Sequence, residues 1–442
     1  MERYPKYKDS GIDWLGNIPE HWDIIKIKRL SIVKRGASPR PIDQPKYFDD
    51  NGEFAWVRIA DVTASNKYLL KTTQILSILG NSLSVKQYPG DFFVSIAGSV
   101  GKPIITKIKC CIHDGFVYFP KLKINKEFIY YLFEAGQLFQ GLGKFSTQLN
   151  LNTDTIGNIQ IPLPPLEEQK TIARFLDRKL EQIGHFISNK QRLIELLKEQ
   201  KTAIVNRAVT KGLNPDAPMK PSGIEWLGDI PANWEVETIG KLSESLQTGP
   251  FGSQLHSYEY VTGGIPVINP SNMKDSTIFA DVNCAVDQPT WERLKRHALK
   301  TGDIIFARRG EMGRCALVTE QENGWICGTG SLRMQPKRQK NNSEFLIMVL
   351  SAKGVAEYLS LMSVGSTMEN LNTGILQRLP LSIPPVDEQQ QIVEYIHKVN
   401  LQTNQAIAKT EKEIELIQEY RTTLISDAVT GKIDVRELTH SS

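Results

Sequence analysis

The sequence is poor in most features that announce a simple function. It holds five cysteines in 442 residues, Cys110, Cys111, Cys284, Cys315 and Cys327, with no C-x-x-C pair. Such a set suits reduced, buried thiols and speaks against a disulfide scaffold or a structural metal. No apolar run approaches the roughly 20 residues that span a bilayer. The opening MERYPKYKDSGIDW lacks the apolar centre of a signal peptide. The chain is therefore expected in the cytoplasm, away from membranes. Neither sign of charge dominates: 53 Lys and Arg against 49 Asp and Glu leave +4, which permits a polyanionic partner without requiring one. The histidines, His21, His113, His185, His256, His297, His397 and His440, show no i, i+4 pairing, so no helix-borne metal site is expected.

What the chain does have is an internal repeat. SGIDWLGNIPEHW from Ser10 returns 212 residues later as SGIEWLGDIPANW from Ser222, with nine of thirteen positions identical. At the same shift GDFFVSIAGSVGK from Gly90 pairs with GDIIFARRGEMGR from Gly302. Both are Gly-Asp, an apolar strand, a Gly-x-x-Gly turn and a cation, Lys102 or Arg314. Near the end of each half the shift is 220, where NLNTDTIGNIQIPLPPLEEQ from Asn150 pairs with NLNTGILQRLPLSIPPVDEQ from Asn370. The halves share a frame and differ in the filling between its anchors.

Pro164-Pro165 and Pro384-Pro385 are each followed by an acidic turn, Glu167-Glu168 and Asp387-Glu388, as at a helix start. Leu180, Ile183, Ile187, Lys190, Ile194, Leu197, Lys201, Ile204 and Ala208 then follow in steps of three and four, a heptad seam with two polar interruptions. Asn400, Thr403, Ile407, Thr410, Ile414, Ile417, Arg421, Leu424 and Ala428 repeat that register. Each helix should run about 44 residues and roughly 65 Å, with Gly212 and Gly431 as C-terminal caps. If a pseudo-two-fold axis relates the halves, the helices form an antiparallel pair with a globular domain at each end.

These ordered, duplicated motifs resemble the specificity subunit of Type I restriction-modification systems, and the resemblance covers essentially the whole chain. The motifs are the SGI[DE]WLG-x-IP-x-x-W segment, the Thr-Gly-Pro-Phe-Gly-Ser run at Thr248, the Gly-Asp strand with its Gly-x-x-Gly turn, and LNT with PPxxEQ before a long helix. The fold implied is α+β, two pseudo-repeated target-recognition domains joined by two long antiparallel coiled-coil helices. Domain boundaries are expected at 1–164, 165–211 for the first helix, 212–384, 385–430 for the second helix, and 431–442 for a tail beside the first domain. The resemblance further implies that each domain reads half of a bipartite double-stranded DNA site and that the helices set the spacer. Two methylation subunits would dock on it, binding S-adenosylmethionine and methylating adenine, while motor/restriction subunits hydrolyse ATP, translocate DNA and cut. The chain itself would be non-catalytic and need no cofactor.

The residues agree with a non-catalytic role. The Pro-Pro pairs lack the preceding Asp or Asn of a [DN]-P-P-[YF] methyltransferase loop, and Asn269-Pro270 is followed by Ser271-Asn272. Gly143-Lys144 is followed by Phe145, and Leu138 stands where a P-loop needs its first glycine. Asp216 with Glu225 is a poor nuclease pair, the first lying in the linker just before the repeated motif and the second inside that motif. Two other readings stay open: the same scaffold serving a bipartite system with a fused methyltransferase-nuclease partner, and a coiled-coil adaptor that does not bind DNA.

For a two-domain reader, affinity should come from cations on phosphates and specificity from polar side chains on base edges. Lys34, Arg35 and Arg40 flank the turn Gly36-Ala37-Ser38-Pro39. Their counterpart is QTGPFGSQ, with Gln247, Thr248, Ser253 and Gln254 as candidates. Arg58, in FAWVRIADV, aligns with Asn269, in IPVINPSNM, when one gap is allowed: unlike readers at one position. Arg308-Arg309 replace Ile96-Ala97 of the first half; adjacent strand residues face opposite ways, so one should face DNA and the other pair with a carboxylate. Lys102 and Arg314 would clamp phosphates. Ser146-Thr147-Gln148 and Ser366-Thr367-Met368 precede Asn-Leu-Asn-Thr, read as a capped turn that positions the helix. Trp14, Trp22, Trp226 and Trp234 belong to the repeated frame, so they are assigned to core or partner docking.

Overall fold

Short apolar runs broken by glycine and proline form the sheets of this protein, and longer apolar stretches form the helices packed on them. The computed structural model describes residues 2–140, 144–145, 148–149, 151–310, 313–363 and 371–437, with the backbone alone at 144–145, 148–149, 353 and 363. The chain divides into two units, Met1–Gln191 with Glu411–Ser442, and Arg192–Thr410.

In the first unit a hairpin of Tyr7–Asp9 and Asn17–Pro19 precedes Asp23–Lys26, which pairs antiparallel with Gln160–Leu163. Between them lies a five-stranded sheet in the order Lys34–Arg35, Phe116–Tyr118, Phe92–Ser95, Pro103–Thr106, Tyr68–Leu69. A four-stranded sheet has the order Gln74–Leu76, Phe54–Val57, Cys110–Ile112, Val85–Gln87. Phe92–Ser95 and Pro103–Thr106 are buried at every position, which is why they read as continuous apolar runs and not as alternation. Lys126–Glu134 is capped by Asn125, which accepts from Phe128 N at 2.8 Å, and is buried from Phe128 to Phe133.

The second unit repeats this plan. Met219–Pro221 pairs with Asp229–Pro231, and Glu235–Thr238 with Pro380–Ile383. One four-stranded sheet runs Ser243–Thr248, Ser331–Pro336, Ile304–Ala307, Cys315–Leu317; the other runs Tyr260–Val261, Ala285–Val286, Ile265–Ile268, Ile326–Cys327. Asn342 caps Ser343–Leu350 as Asn125 caps its counterpart.

The two long helices are Leu166–Lys211, 46 residues, and Val386–Val429, 44 residues. Every residue of the first seam is buried or half-buried, and so is every residue of the second except Arg421. The lysines that interrupt the seam find polar partners on the other helix: Lys190 Nζ lies 2.7 Å from Glu413 Oε2 in the first unit, and Lys201 Nζ donates to Asn404 Oδ1 at 3.2 Å in the second. The helices run antiparallel: in the second unit Val205 and Ala208, beyond Lys201, share a core with Ile396 and Ile392, which precede Asn404.

The repeated Gln at each helix start ties the helix to its own unit. Gln169 Nε2 donates to Pro164 O at 2.7 Å and its Oε1 accepts from Asn125 N at 2.9 Å. Gln389 does the same with Pro384 O at 3.0 Å and Asn342 N at 2.8 Å. Gly212 and Gly431 end the helices with φ of 74° and 75°, the left-handed cap that glycine favours. A Cβ on Gly431 would strike Pro19 in the first unit; one on Gly212 would crowd Glu388 and Trp234 in the second. Beyond Gly431, Asp434 N donates to Glu2 O at 2.9 Å, Val435 is buried, and Arg436 lies over the Tyr4 ring.

Trp22 and Trp234 are fully buried, and Trp14 and Trp226 half-buried, a core role as their repetition suggests. The five cysteines are free, and burial pushes the thiols of Cys110, Cys111, Cys315 and Cys327 up to about 12. Among the described residues no single helix is long and apolar enough to cross a membrane.

Candidate nucleic-acid interface

The two units present one backbone frame with different side chains. Phe54–Val57 pairs in parallel with Cys110–Ile112, Val57 facing Ile112. Ile265–Ile268 pairs in parallel with Ile326–Cys327, Ile268 facing Cys327. The next residue on the first strand of each pair is Arg58 or Asn269, so the alignment with one gap holds in space. Each is half-buried and heads a short helix. Arg58 N donates to Asp61 Oδ2 at 2.9 Å, and its guanidinium reaches Asp61 and Thr73. Asn269 N donates to Asn272 Oδ1 at 3.0 Å, and its Nδ2 donates to Cys284 Sγ at 3.2 Å.

The Gly-x-x-Gly turns need glycine at both ends: φ is 63° and 88° at Gly98 and Gly101, and 85° and 81° at Gly310 and Gly313. The cation after each turn points inward. Lys102 Nζ donates to Thr63 O at 3.1 Å and Ser65 O at 2.9 Å, the carbonyl end of the helix that Arg58 heads. Arg314 Nη1 donates to Pro270 O at 3.1 Å, in the short helix that Asn269 heads. Both side chains therefore brace the turn against its neighbour.

Lys34 and Arg35 are exposed on their strand. Arg35 Nε donates to Asp114 O, and Arg40 Nη2 to Asp114 Oδ2 at 2.7 Å. Burial raises the Asp114 pKa, but Arg40, Ser38 and Arg35 together hold it below the usual carboxylate range. Gly36 N donates to Phe116 O at 2.9 Å, and Gly249 N to Ser331 O at 3.1 Å. A Cβ on either glycine would collide with a backbone carbonyl, His113 O or Gly328 O, so these glycines let the loop approach the end of the neighbouring strand.

In the second unit Gln247 Oε1 accepts from Arg333 Nη2 at 3.0 Å, and Thr248 O lies 3.1 Å from His297 Nδ1. Arg296 Nε donates to His297 Nε2 at 2.9 Å. That places the His297 proton on Nδ1, and burial followed by the Arg296 charge keeps the ring pKa low. Gln254 Oε1 accepts from Phe251 N at 3.2 Å; Ser253 is exposed. Arg308 is half-buried, with Nε donating to Leu371 O at 3.2 Å and its guanidinium over the exposed Phe251 ring. Burial, then the Arg309 charge, lowers its pKa. Where a carboxylate partner is expected for one of this pair, Arg308 has a carbonyl and a ring among the described residues. Arg309 is exposed, with no side-chain partner among the described residues.

Asn152 and Asn372 cap short helices, accepting from Thr155 N at 2.8 Å and Ile375 N at 2.9 Å; this is the capped turn expected of Asn-Leu-Asn-Thr. Ser146, Thr147, Ser366, Thr367 and Met368 lie outside the described residues. Sequence reasoning missed the supports beneath the face: Arg333, whose Nε lies 3.8 Å from buried Asp303, and the pair Arg296 and His297. Strand-borne polar residues inside apolar runs, such as Arg333 in SLRMQP, were the available sign. Among the described residues no cluster of His, Cys, Asp and Glu can hold a metal ion.

Comparison with known proteins gives a consistent picture. The family described as Type I restriction modification DNA specificity domain matches twice, at residues 19–202 and 231–416. The MjaVIII specificity subunit of a Type I restriction enzyme from Methanocaldococcus jannaschii is 23% identical over 95% of this chain and 95% of its own. The EcoBI specificity subunit from Escherichia coli is 23% identical over 91% of this chain and 85% of its own. Among solved structures, a chain from a study of complex assembly and conformational transition of the type I R-M system superposes with a TM-score of 0.66 at 16% identity, covering 94% of this chain and 99% of that one. The HsdS subunit from Thermoanaerobacter tengcongensis gives 0.57 at 16% identity, covering 94% and 98%.

Proposed function

The chain belongs to the Type I restriction-modification DNA specificity family and is a specificity subunit of such a system; we propose that each unit reads its half of a bipartite duplex site through the face built around Arg58 or Asn269. Lys34, Arg35, Arg40 and Arg309 supply the positive charge that holds phosphates, while Lys102 and Arg314, expected as clamps, brace the turns behind them through backbone carbonyls. Arg58, Gln247, Thr248, Ser253, Gln254, Asn269 and Arg308 face base edges. The recognition domains are 1–164 and 212–384, and the helices between them set the spacer. Two methylation subunits dock on the chain in the cytoplasm, and motor/restriction subunits join them. Methyl transfer, ATP hydrolysis and cleavage belong to those partners, and the chain needs no cofactor of its own.

The support for this reading is a single frame carrying unlike side chains. Strand register equates Arg58 with Asn269 and, through the pairing of Ser95 with Phe116 and of Ala307 with Ser331, Ile96-Ala97 with Arg308-Arg309. A fold needs the frame; two different half-sites need the differences.

The test is binding of the chain, assembled with the methylation subunits of its system, to DNA in which each base pair is varied. Arg58→Ala should relax one position in one half-site and Asn269→Ala one position in the other, each by about 1–3 kcal/mol of discrimination. Variants that both act on the same half, or weaken all sequences uniformly, would contradict it.

A further inference from the structure

A cleft of about 710 Å³ opens in the first unit, lined by Ser38, Trp56, Arg58, Gln74 and His113 among others. His113 Nδ1 accepts from Gly115 N at 2.8 Å, so the neutral ring carries its proton on Nε2. Phe116 and Trp56, with ring centroids 4.7 Å and 5.8 Å away, fix its plane. Burial lowers the His113 pKa by more than Asp114 raises it, which keeps the ring neutral near pH 7. Among the described residues the Nε2–H has no hydrogen-bond partner, and it is not sealed from solvent.

Strand register equates His113 with Gly328: each follows the strand that pairs with the Arg58 or Asn269 strand, and each carbonyl closes on Gly36 or Gly249. A Cβ on Gly328 would collide with Asn269 Oδ1. Asn269 therefore occupies the place that the missing side chain leaves, and the units fill one position from two different strands.

We infer that His113 is a specificity-determining residue of the first unit, donating through Nε2–H to a guanine edge in the major groove, with the Arg58 guanidinium as the second donor. Guanine is the base whose major-groove edge presents two acceptors, O6 and N7; adenine and cytosine would turn an amino donor against these donors. Arg58 uses Nε and Nη2 on Asp61 and Thr73, and its Nη1 has no partner among the described residues. The inference rests on the proposed reading of the units as half-site readers.

The experiment is selection of bound sequences from random duplex DNA by the assembled complex, with wild-type chain, His113→Ala and His113→Gln. The wild-type consensus should hold a fixed guanine in one half-site. His113→Ala should lower the preference for that guanine about ten-fold while the other half-site and the gap stay unchanged, and His113→Gln should change the base preference at that position alone. An unchanged guanine preference in both variants, or a wild-type consensus with no fixed guanine in either half, would overturn the inference and leave bipartite reading standing. Loss of both half-sites by both variants would give His113 a folding role and overturn it as well. A wild-type complex with no bipartite consensus would instead fail the underlying reading.

Discussion

Trp22 Nε1 donates to Glu168 Oε1 at 3.1 Å, joining the tryptophan that closes the first repeated motif to the first turn of the long helix. Trp234 and Glu388 repeat the bond at 3.0 Å. Tyr4 Oη adds a bond to Glu168 Oε1 at 2.6 Å, and His21 Nε2 lies 2.8 Å from Oε2; Asn233 Nδ2 takes the corresponding oxygen of Glu388 at 2.9 Å. The repeated Trp and the repeated Glu are thus two ends of one contact. Since Gly431 packs on Pro19 and Trp22, and Gly212 beside Trp234, each unit gathers the start of one long helix and the end of the other around its tryptophan.

Removing either carboxylate should act on one unit. Tyr4 and Trp22 are buried, and a buried donor left without an acceptor costs about 1–3 kcal/mol. Glu168→Ala should bring the urea transition of the first unit to lower concentration and leave that of the second in place; Glu388→Ala should do the reverse. Equal shifts of both transitions by either variant would contradict the contact as described.

The loop glycines separate cleanly. Gly249→Ala puts a methyl group against Gly328 O, whereas Gly252 has nothing within 4 Å of its Cβ position. Gly249→Ala should cost about 1–3 kcal/mol in thermal unfolding and weaken DNA binding, and Gly252→Ala should be close to neutral in stability.

Exposed cations on the proposed face should be read in salt. Arg309→Ala and Lys34→Ala should each reduce the slope of log K against log [salt] by about 0.9 for each phosphate that is no longer neutralised, with base preference unchanged. An unaltered slope in both would place these residues off the DNA.

Much of this was legible in the sequence because the repeat supplies its own control. Side chains kept in both halves, such as Trp22 and Trp234, Gln169 and Gln389, are those that hold the frame, and their retention at a fixed shift marks them. The heptad seam was legible from spacing alone, including Lys190 and Lys201, which each meet a polar side chain. Other features were hidden for physical reasons. His113 lies in divergent filling, and its equivalence to Gly328 depends on strand pairing that no spacing shows. Lys102 and Arg314 read as free cations because the carbonyls they hold belong to residues far along the chain. The need for glycine at 249 was hidden as well, because the carbonyl that fills the space, Gly328 O, belongs to a residue far along the chain.

Helix length should set the gap. Four residues inserted in one long helix lengthen it by about 6 Å, just under two base-pair rises of about 3.4 Å, so the preferred gap should grow or binding should fail. An unchanged gap would contradict the spacer role.

The most direct measurement is the sequence selected from random duplex DNA by this chain alone and with its methylation subunits. Two short half-sites at a fixed gap are predicted for the assembled complex. A single compact site, or no preferred sequence with the partners present, would contradict the two-reader account.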